Sequence, residues 1–384
     1  MEILVWLFVG LMGSYALLTL WLWLGWEGLS VFKPLPHSVL HSNSAWPCVS
    51  VLIPVRNEAQ NLPALLRDLA AQDVPSGFFE VIVIDDRSED KSPEVVQQFA
   101  SQAPFPLHLC QLPPEAHYRA PKKAALQAGI RQARGLLLLT TDGDCRVGPF
   151  WVASFWQYYQ VQKPCLISGP VVLDYAQNWF ERMQIVEFAS LVGAGAATLY
   201  WQKPTMSNGA NLAFPKEVFE AVGGYEGFMH VASGDDEFLM HKIALRFQGR
   251  VAFLKSREAL VHTKALPSLV DFLAQRRRWA SKWRYYAQPG PLLLAVYIFG
   301  VHLAMLAAGL GAGLGIFVGS GLLWGFGAKF LVEYLYLYRV LIFFKKGPLL
   351  FFIPLVQAIY PLYVVGIGLL AQRKGYVWKG RRMQ

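Results

Sequence analysis

Residues 135–144 have the sequence Gly-Leu-Leu-Leu-Leu-Thr-Thr-Asp-Gly-Asp, and this stretch decides the fold class. The run from Gly135 to Thr141 is short and almost wholly apolar, as expected of a parallel strand that is buried on both faces. It ends at two carboxylates, Asp142 and Asp144, on either side of Gly143. An Asp-Gly turn between two elements is one interpretation of this pair. A ligand site is the other, because ligands of open α/β sheets bind outside the carboxyl ends of the strands.

Strand and helix patterns alternate on both sides of this stretch. Further strands are predicted at Val49–Val55, Glu80–Ile84, Pro164–Val172 and Val251–Leu254, with a loop and strand over Asn208–Phe214. Helices are predicted at Asn57–Ala71, Ser92–Ala100, Pro121–Ala133, Trp179–Ala197, Asp236–Phe247 and Leu266–Tyr286. This alternation is typical of an α/β fold with an open sheet.

Apolar regions flank the α/β pattern at both ends. Residues 3–26 carry no charge, and about 20 such residues cross a membrane as a helix. We interpret them as an anchor and not as a cleaved signal, because no Lys or Arg precedes them and no small-residue cleavage site follows. Three more crossings are predicted between Pro291 and Leu370, at Pro291–Leu310, Gly311 to about Val332, and Pro348–Leu370.

The whole composition agrees with a membrane-bound chain. Hydrophobic residues make up 54% and charged residues 16% of the 384 residues, against about a quarter charged in soluble domains. Part of the net charge of +9 lies beside the C-terminal apolar region, at Arg276–Arg284 and in the tail at Arg373–Arg382, where basic residues meet lipid headgroups. No nucleic-acid-binding module is recognisable, so nucleic acid is excluded as a partner. The four cysteines have neither metal-site nor disulfide spacing.

These patterns divide the chain into six parts. They are an N-terminal transmembrane anchor (1–28), a linker (29–47), an α/β domain (48–265), an amphipathic interfacial helix (266–290), about three C-terminal transmembrane helices (291–371) and a basic tail (372–384).

Two further acidic pairs stand at predicted element ends. Asp86, in Asp85-Asp86 after the second strand, could accept hydrogen bonds from a nucleobase or a ribose, as acidic residues after Rossmann strands do. Asp235-Asp236 opens a helix, where a carboxylate could take a proton from an acceptor hydroxyl. The alternative for the first segment is capping of the next helix by Ser88 or Asp90, and for Asp235-Asp236 it is capping by the pair itself.

A basic and aromatic run, Gln275-Arg276-Arg277-Arg278-Trp279, precedes the C-terminal apolar region. Arg278 could hold a diphosphate through bidentate bonds, and Trp279 could stack on an acceptor sugar. An interfacial belt of basic and aromatic residues is the alternative. We expect both, with Arg278 and Trp279 pointing inward and other members on lipid headgroups.

In this order and at these separations, the clusters resemble the motifs of family-2 glycosyltransferases, particularly membrane members such as ceramide glucosyltransferases, chitin-oligosaccharide synthases and polysaccharide synthases. The resemblance covers about Val49 to Trp279. It implies a GT-A fold, a Rossmann-like open mixed sheet, here flanked by transmembrane α-helices. The chain departs from the family pattern at Pro121, where Gly is usual, and at Asp235, where Glu is common.

The resemblance also implies a role for each matched position. Nucleotide contacts are implied for Pro54, Arg56, Glu58, Asp86, Lys122 and Asp142. Asp144 with Asp142 would bind Mg²⁺ or Mn²⁺, hard cations that prefer oxygen ligands. Asp236 would be the catalytic base beside Asp235, and Arg278 would stabilise the leaving diphosphate. Acceptor contacts are implied for Asn211, Gln275, Arg278 and Trp279.

The implied reaction is metal-dependent, inverting transfer of a sugar from a nucleotide-diphosphate sugar, expected to be a UDP-sugar, to a lipid or glycan acceptor. Two alternatives stay open: a processive polysaccharide synthase that also secretes its product, and a non-catalytic membrane protein. The catalytic domain is expected to face the cytoplasm, where sugar nucleotides are. Three C-terminal crossings would then put the basic tail outside, against the positive-inside rule, unless one segment is re-entrant.

Overall fold

In the computed structural model, residues 2–36, 47–113, 118–174, 176–285, 289–316, 320–372, 376–378 and 381–383 are described. Parts of the predicted linker and basic tail lie outside the described residues. The chain divides into two units. The helical unit comprises Met1–Gly28, Tyr175–Ala197 and Ala265–Tyr376; the α/β unit comprises Leu29–Asp174, Thr198–Lys264 and Val377–Gln384. The segment predicted as one domain, 48–265, is therefore interrupted by residues of the helical unit.

The α/β unit contains a seven-stranded sheet. Its strands are β1 (Val49–Val55), β2 (Phe79–Asp85), β3 (Leu107–Gln111), β4 (Leu137–Thr140), β6 (Leu166–Ser168), β8 (Leu212–Pro215) and β9 (Val251–Phe253). Their order is β3-β2-β1-β4-β8-β6-β9. The first four are parallel, β8 is antiparallel to both neighbours, and β6 pairs with β9 in parallel. The predicted open mixed sheet is confirmed.

The strand order creates a topological switch point beside β1. The chain builds outward from β1 to β2 and β3, then returns to β4 on the other side of β1. Val55 at the end of β1 lies opposite Asp85, and Leu52 lies opposite Thr140. Ligands of open α/β sheets bind at such a switch point, outside the carboxyl ends of the strands. The acidic stretches after β2 and β4 both begin at this edge.

One predicted strand is two strands. Pro164–Val172 was expected to form a single strand, but β6 ends at Ser168 and β7 spans Val171–Asp174. Gly169 and Pro170 separate them, and a proline inside a sheet cannot donate a ladder hydrogen bond. With β5 (Arg146–Val147) and β10 (Val261–Lys264), β7 forms a second, three-stranded sheet in the order β5-β10-β7.

The helices of the α/β unit connect these strands. They are α2 (Leu62–Ala70), α3 (Ser92–Ala100), α4 (Pro121–Gln132), α5 (Trp151–Gln162), α7 (Lys216–Ala221) and α8 (Asp235–Arg246). On α2 the buried residues are Leu62, Leu65, Leu66 and Leu69, the apolar stripe that the sequence predicts for a helix covering a sheet. A 3-10 turn at Gly209–Asn211 leads into β8.

The remaining helices are α1 (Glu2–Gly28), α6 (Trp179–Tyr200), α9 (Leu269–Ala280), α10 (Pro289–Gly313), α11 (Ser320–Phe343) and α12 (Ile353–Leu370). Short 3-10 turns at Ser281–Tyr285 and Gly347–Phe352 follow α9 and precede α12. Two short strands, β11 (Tyr376–Trp378) and β12 (Arg381–Met383), lie in the tail.

Four helical segments among the described residues are long and apolar enough to cross a membrane: Glu2–Gly28, Trp179–Tyr200, Pro289–Gly313 and Gly347–Leu370. The sequence had not predicted a crossing at Trp179–Tyr200. Helix α11, predicted as the middle C-terminal crossing, is not among the four, and it carries Lys329, Glu333 and Arg339.

Polar side chains join three helices of the helical unit. Glu333 on α11 accepts hydrogen bonds from Tyr15 Oη on α1 (2.7 Å), Lys329 Nζ (2.6 Å) and Gln357 Nε2 on α12 (3.2 Å). Lys329 is fully buried. Ionisable groups among apolar helices require such partners. Helix α1 is therefore an integral part of this unit, as well as a predicted anchor.

Candidate active site

Three separate segments of the α/β unit meet around the ammonium group of Lys122. This lysine stands in the first turn of α4, where the chain enters the helix at Pro121. Its Nζ lies 2.7 Å from Oδ1 of Asp142, which follows β4, and 3.5 Å from Oδ2 of Asp235, at the start of α8. Positions 122, 142 and 235, which the sequence predicted from separate motifs, are thus brought together.

The electrostatics of this cluster favour a protonated lysine. Burial alone would lower the pKa of Lys122, but the negative charges of Asp142, Asp235 and Asp236 outweigh it and raise the pKa above its ordinary value. The charged ammonium form of Lys122 is therefore favoured over the neutral amine. One ammonium among three carboxylates leaves the cluster with a net negative charge, so Lys122 would help to bind a diphosphate only together with a divalent cation.

Asp236 is held at this cluster by backbone N–H groups. Its Oδ2 accepts a hydrogen bond from the N–H of Gly209 (2.9 Å), and its Oδ1 accepts one from the N–H of Glu237 (2.7 Å). Gly209 is close to the other members as well: a Cβ there would lie 3.0 Å from Asp235 Oδ2 and 3.4 Å from Lys122 Nζ. The helix start and the turn at Gly209 thus fix the Asp236 carboxylate together.

The turn that carries Gly209 is tied to the sheet. Thr140 Oγ1, at the end of β4, donates to the carbonyl of Gly209 (2.7 Å). Asn211 is fully buried; its Oδ1 accepts from Trp151 Nε1, and its Nδ2 donates to the carbonyls of Pro170 and Ala259. The sequence predicted an acceptor contact for Asn211, but here its amide supports the turn from inside the protein.

The Asp142-Gly143-Asp144 segment leaves β4 against the end of β1. A Cβ on Gly143 would lie 2.9 Å from Val55 Cγ1 and 3.2 Å from Glu58 Cγ. Asp144 is exposed, and the carbonyl of Asp142 accepts the N–H of Cys145 (3.1 Å). A larger residue between the two acids would therefore require the side chain of Val55 or Glu58, or the acidic segment itself, to move.

The two acids of this segment have the chemistry of a magnesium or manganese site. Among the described residues, no group of three or more His, Cys, Asp or Glu side chains is arranged to hold a metal ion. Mg²⁺ is commonly bound by only one or two carboxylates, with substrate phosphates and water completing its shell. Asp142 and Asp144 fit that pattern.

Substitution of Gly143 by alanine tests the close packing at this turn. The added methyl must push either Val55 or the acidic segment aside, and overpacking of this kind costs typically 1–3 kcal/mol. We expect Gly143→Ala to lower the unfolding temperature and to weaken Mn²⁺-dependent nucleotide binding at least about 10-fold. Thermal unfolding and calorimetric titration with nucleotide measure the two effects. Gly148→Ala is the matched control, because a Cβ there would meet no atom closer than 3.9 Å; equal nucleotide affinity in both variants would contradict the expectation.

The two acids at the end of β2, Asp85 and Asp86, make different contacts. Asp85 closes a turn by accepting the N–H of Ser88 (3.2 and 3.3 Å), whereas Asp86 accepts from Arg87 (3.1 and 3.2 Å). Arg56 braces the same turn by donating to the carbonyls of Asp86 (2.9 Å) and Arg87 (2.6 Å). It joins the ends of β1 and β2 and thereby holds Asp86 in place.

The other two predicted nucleotide contacts lie at the end of β1. Pro54 is within the strand, opposite Ile84 of β2. Glu58 is buried; its N–H donates to Ser92 Oγ (2.8 Å), and its Oε2 accepts from Asn61 Nδ2 (2.7 Å). In this structure, Glu58 links the turn after β1 to the start of α3.

The residues predicted around position 278 lie in the helical unit, on α9. Gln275, Arg278 and Trp279 all belong to this helix, but the buried arginine of the run is Arg276. Arg276 forms two hydrogen bonds with the carboxylate of Glu187 on α6, at 3.1 and 2.5 Å. Its guanidinium also lies 4.3 Å from the ring centroid of Trp279. The sequence did not distinguish Arg276 from its neighbours, because its partner Glu187 is distant in sequence.

The comparison with known families decides the class of the protein. The profile described as Glycosyl transferase family 21 matches residues 6–384, nearly the whole chain. The chain belongs to glycosyltransferase family 21. The resemblance of the sequence motifs to family-2 glycosyltransferases is thereby confirmed, because family 21 is a family of the same type.

Individual relatives of this family 21 member agree at the level of enzyme class. It is 28% identical over 193 residues to the glycosyltransferase AglE of Haloferax volcanii, an alignment that covers 50% of this chain and 60% of AglE. It is 38% identical over 102 residues to the undecaprenyl-phosphate 4-deoxy-4-formamido-L-arabinose transferase of Pseudomonas savastanoi, covering 26% of this chain and 29% of that one. The chain thus matches less than two thirds of the length of these curated relatives.

Among solved structures, the family 21 chain is similar to a mannosyltransferase from Pyrobaculum calidifontis in complex with GDP-Man and Mn²⁺. The TM-score is 0.58 at 19% identity, and the match covers 94% of this chain and 99% of the other. At this identity the likeness is one of fold, and the predicted GT-A architecture with flanking apolar helices is confirmed.

Proposed function

We propose that the protein is a membrane glycosyltransferase that moves a sugar from a nucleotide-diphosphate sugar to a lipid-linked acceptor, with inversion at the anomeric carbon. The observation that carries the proposal is the convergence of Lys122, Asp142, Asp235 and Asp236 at the carboxyl edge of the sheet. Such a transfer needs a positive charge that binds the diphosphate and a fixed carboxylate that accepts a proton.

The donor side of the reaction is assigned to Lys122 and the two acids after β4. Bound by Asp142 and Asp144, Mg²⁺ or Mn²⁺ would neutralise charge on the diphosphate. Lys122 supplies a fixed positive charge that stabilises the negative charge developing on the leaving group. Asp86, braced by Arg56, accepts a hydrogen bond from the nucleoside. The mannosyltransferase with bound GDP-Man and Mn²⁺ supports a donor and a metal of these classes.

The acceptor side is assigned to Asp236. Its carboxylate removes the proton from the acceptor hydroxyl as that oxygen attacks the anomeric carbon. A carboxylate held by two backbone N–H groups still has free lone pairs for this proton. Gln275, Arg278 and Trp279 on α9 are proposed to contact the acceptor, and Arg278 is also proposed to bind the diphosphate.

The acceptor is proposed to be a lipid, and the enzyme a multi-pass membrane protein. In the described part of the chain, four helical segments have the length and composition of membrane spans. The relative from Pseudomonas savastanoi is named for undecaprenyl phosphate, a lipid carrier. Because sugar nucleotides are cytoplasmic, the α/β unit is proposed to face the cytoplasm. Addition of a single sugar is favoured over processive synthesis by this lipid-acceptor relationship.

The proposal is tested by incubating detergent-solubilised protein with labelled UDP- and GDP-sugars, native lipid extract, and Mg²⁺, Mn²⁺ or EDTA. We expect one labelled lipid carrying a single sugar, no product in EDTA, and an inverted anomeric configuration by NMR. Asp144→Ala should lose metal-dependent nucleotide binding and lower transfer about 100-fold or more, in line with the loss of a transition-state charge contact.

Three outcomes of this assay would contradict parts of the proposal. Absence of transfer from every donor would refute the activity on sugar nucleotides. Transfer that survives both EDTA and Asp144→Ala would refute the metal role. A ladder of products would replace single addition by processive synthesis. Asp68→Ala is the matched control, because this carboxylate pairs with Arg146 at 2.5 Å on the same unit and has no proposed role in transfer.

A further inference from the structure

The first turn of helix α4 carries two adjacent lysines whose ammonium groups contact different segments. Lys122 Nζ lies among the carboxylates, whereas Lys123 is fully buried. Successive residues on a helix point about 100° apart, so adjacent side chains serve different faces. Lys123 Nζ donates to the carbonyls of Val231 (2.5 Å) and Ser233 (2.6 Å).

The segment that accepts these hydrogen bonds, residues 231–233, leads directly into α8. Gly234 follows Ser233 with a φ of 78°, a left-handed conformation that favours glycine, and α8 begins at Asp235. The segment is also folded back on the helix: the rings of Phe228 and Phe238 stack with centroids 4.4 Å apart and planes 2° apart. The Lys123 ammonium lies 5.3 Å from the centroid of Phe238.

A fully buried lysine is rare, because removing an ammonium group from water is costly unless polar groups replace the water. Here carbonyls of one short loop do so. Two adjacent residues of α4 thus make separate contacts: Lys122 contacts the carboxylates, and Lys123 contacts the loop before Asp236. Any shift of this loop would move the start of α8, and with it Asp236, relative to Lys122.

We propose that Lys123 is a positioning residue for transfer: it fixes the loop at 231–233 and thereby sets the Asp236 carboxylate relative to the diphosphate held by Lys122. The inference rests on the proposed function, since it assigns a role with respect to Asp236 as base. Lys123 itself contacts neither substrate nor the reacting atoms in this assignment.

The test compares Lys123→Met with Lys216→Met in the full-length, detergent-solubilised protein. Lys216 is a matched control, because its ammonium also donates to a backbone carbonyl, that of Ala133 (2.7 Å), but it holds α7 and not the loop before α8. Turnover is divided by the number of nucleotide-binding sites measured by titration. Loss of folded protein lowers both quantities equally and leaves their ratio unchanged.

We expect turnover per nucleotide-binding site to fall about 10- to 100-fold in Lys123→Met, as a displacement of about 1 Å in a catalytic group can cause. Nucleotide affinity should change less than about threefold, and Lys216→Met should keep the wild-type ratio. Adding Lys123→Met to Asp236→Asn should have little further effect, because residues that act through one another are not additive.

Unchanged turnover per site in Lys123→Met, or an equal loss in Lys216→Met, would overturn the positioning role. If Lys123→Met does not fold, Lys123→Arg decides: the guanidinium is larger than the ammonium and the site is fully buried, so the loop at 231–233 must move to accommodate it, and a wild-type ratio would overturn the proposal. Failure of the proposed function is distinguishable, because the wild-type protein itself would then transfer no sugar.

Discussion

Asp236→Asn should lower the rate constant of sugar transfer about 10²- to 10⁴-fold, the range that general-base catalysis contributes. The carboxylate is the proposed proton acceptor, and an amide cannot take the proton at neutral pH. The donor side is built from Lys122, Asp142 and Asp144, which the substitution leaves in place. Nucleotide affinity should therefore stay within a few-fold of the wild type, so that the loss appears in kcat and not in KM for the donor.

The geometry around Asp236 requires a folding control for this variant. Each carboxylate oxygen accepts a backbone N–H, from Gly209 and from Glu237. Asparagine has only one oxygen, so its NH₂ group must face one of these donors. Leaving a donor unsatisfied costs about 1–3 kcal/mol. Thermal unfolding and nucleotide titration therefore accompany the rate measurement.

Asp235→Asn is the matched comparison for the neighbouring acid. Asp235 Oδ2 lies 3.5 Å from Lys122 Nζ, so its loss removes one partner of the lysine and leaves the base in place. We expect a loss of less than about 10-fold, the scale of one ion pair. If Asp235→Asn abolished transfer and Asp236→Asn did not, the two roles would be exchanged. If both kept more than a tenth of the activity, the base would be another residue.

The strands of the central sheet could be predicted because buried parallel strands are apolar on both faces. β1 and β2 were predicted within one residue at each end. Strand β3 was not predicted, since it is an edge strand in which polar and apolar residues mix. Helix α5 was missed for the opposite reason: seven of its residues are buried, including Trp151, Phe155 and Trp156, so it shows no clear polar face.

The candidate site could be predicted only as separate pieces. Each of Lys122, Asp142 and Asp235 stands at the end of an element, which local pattern shows. These residues meet because the fold places α4, β4 and α8 side by side. That arrangement depends on long-range topology and cannot be predicted from a local sequence pattern. For the same reason, the sequence could not separate Lys123 from Lys122 or recognise the burial of Asn211.

The ion pair of Arg276 and Glu187 in the helical unit could not be predicted from a local pattern either, because the two residues are 89 positions apart. Both side chains are almost fully buried. Removing one partner of a buried ion pair leaves an uncompensated charge and typically costs 3–5 kcal/mol. We therefore expect Glu187→Gln and Arg276→Met each to destabilise the protein by about 3–5 kcal/mol, or to prevent its recovery from detergent as a monodisperse species.

Two further variants separate the ion pair from simple loss of packing. The double variant Glu187→Leu with Arg276→Met replaces both charges by apolar groups of similar length, and such replacements are often neutral. It should recover part of the lost stability, because Tyr363 Oη still loses its acceptor, Glu187 Oε1 (3.2 Å). Arg339→Met is the matched control in the same unit: Arg339 pairs with Glu27 at 2.6 Å, but both side chains are partly exposed, and such pairs contribute about 0–1 kcal/mol.

The measurement is thermal unfolding of each purified variant, followed by size-exclusion chromatography. A double variant as unstable as either single variant would show that the two charges do not compensate each other. A loss in Arg339→Met as large as that in Arg276→Met would show that burial does not set the cost. Arg276 also lies against Trp279 of the same helix, at 4.3 Å from its ring centroid, whereas the ion pair with Glu187 joins α9 to α6 and restricts the rotation of α9 about its axis. Gln275 and Arg278 lie on the same rigid helix, so the ion pair with Glu187 also determines the directions in which their side chains leave it.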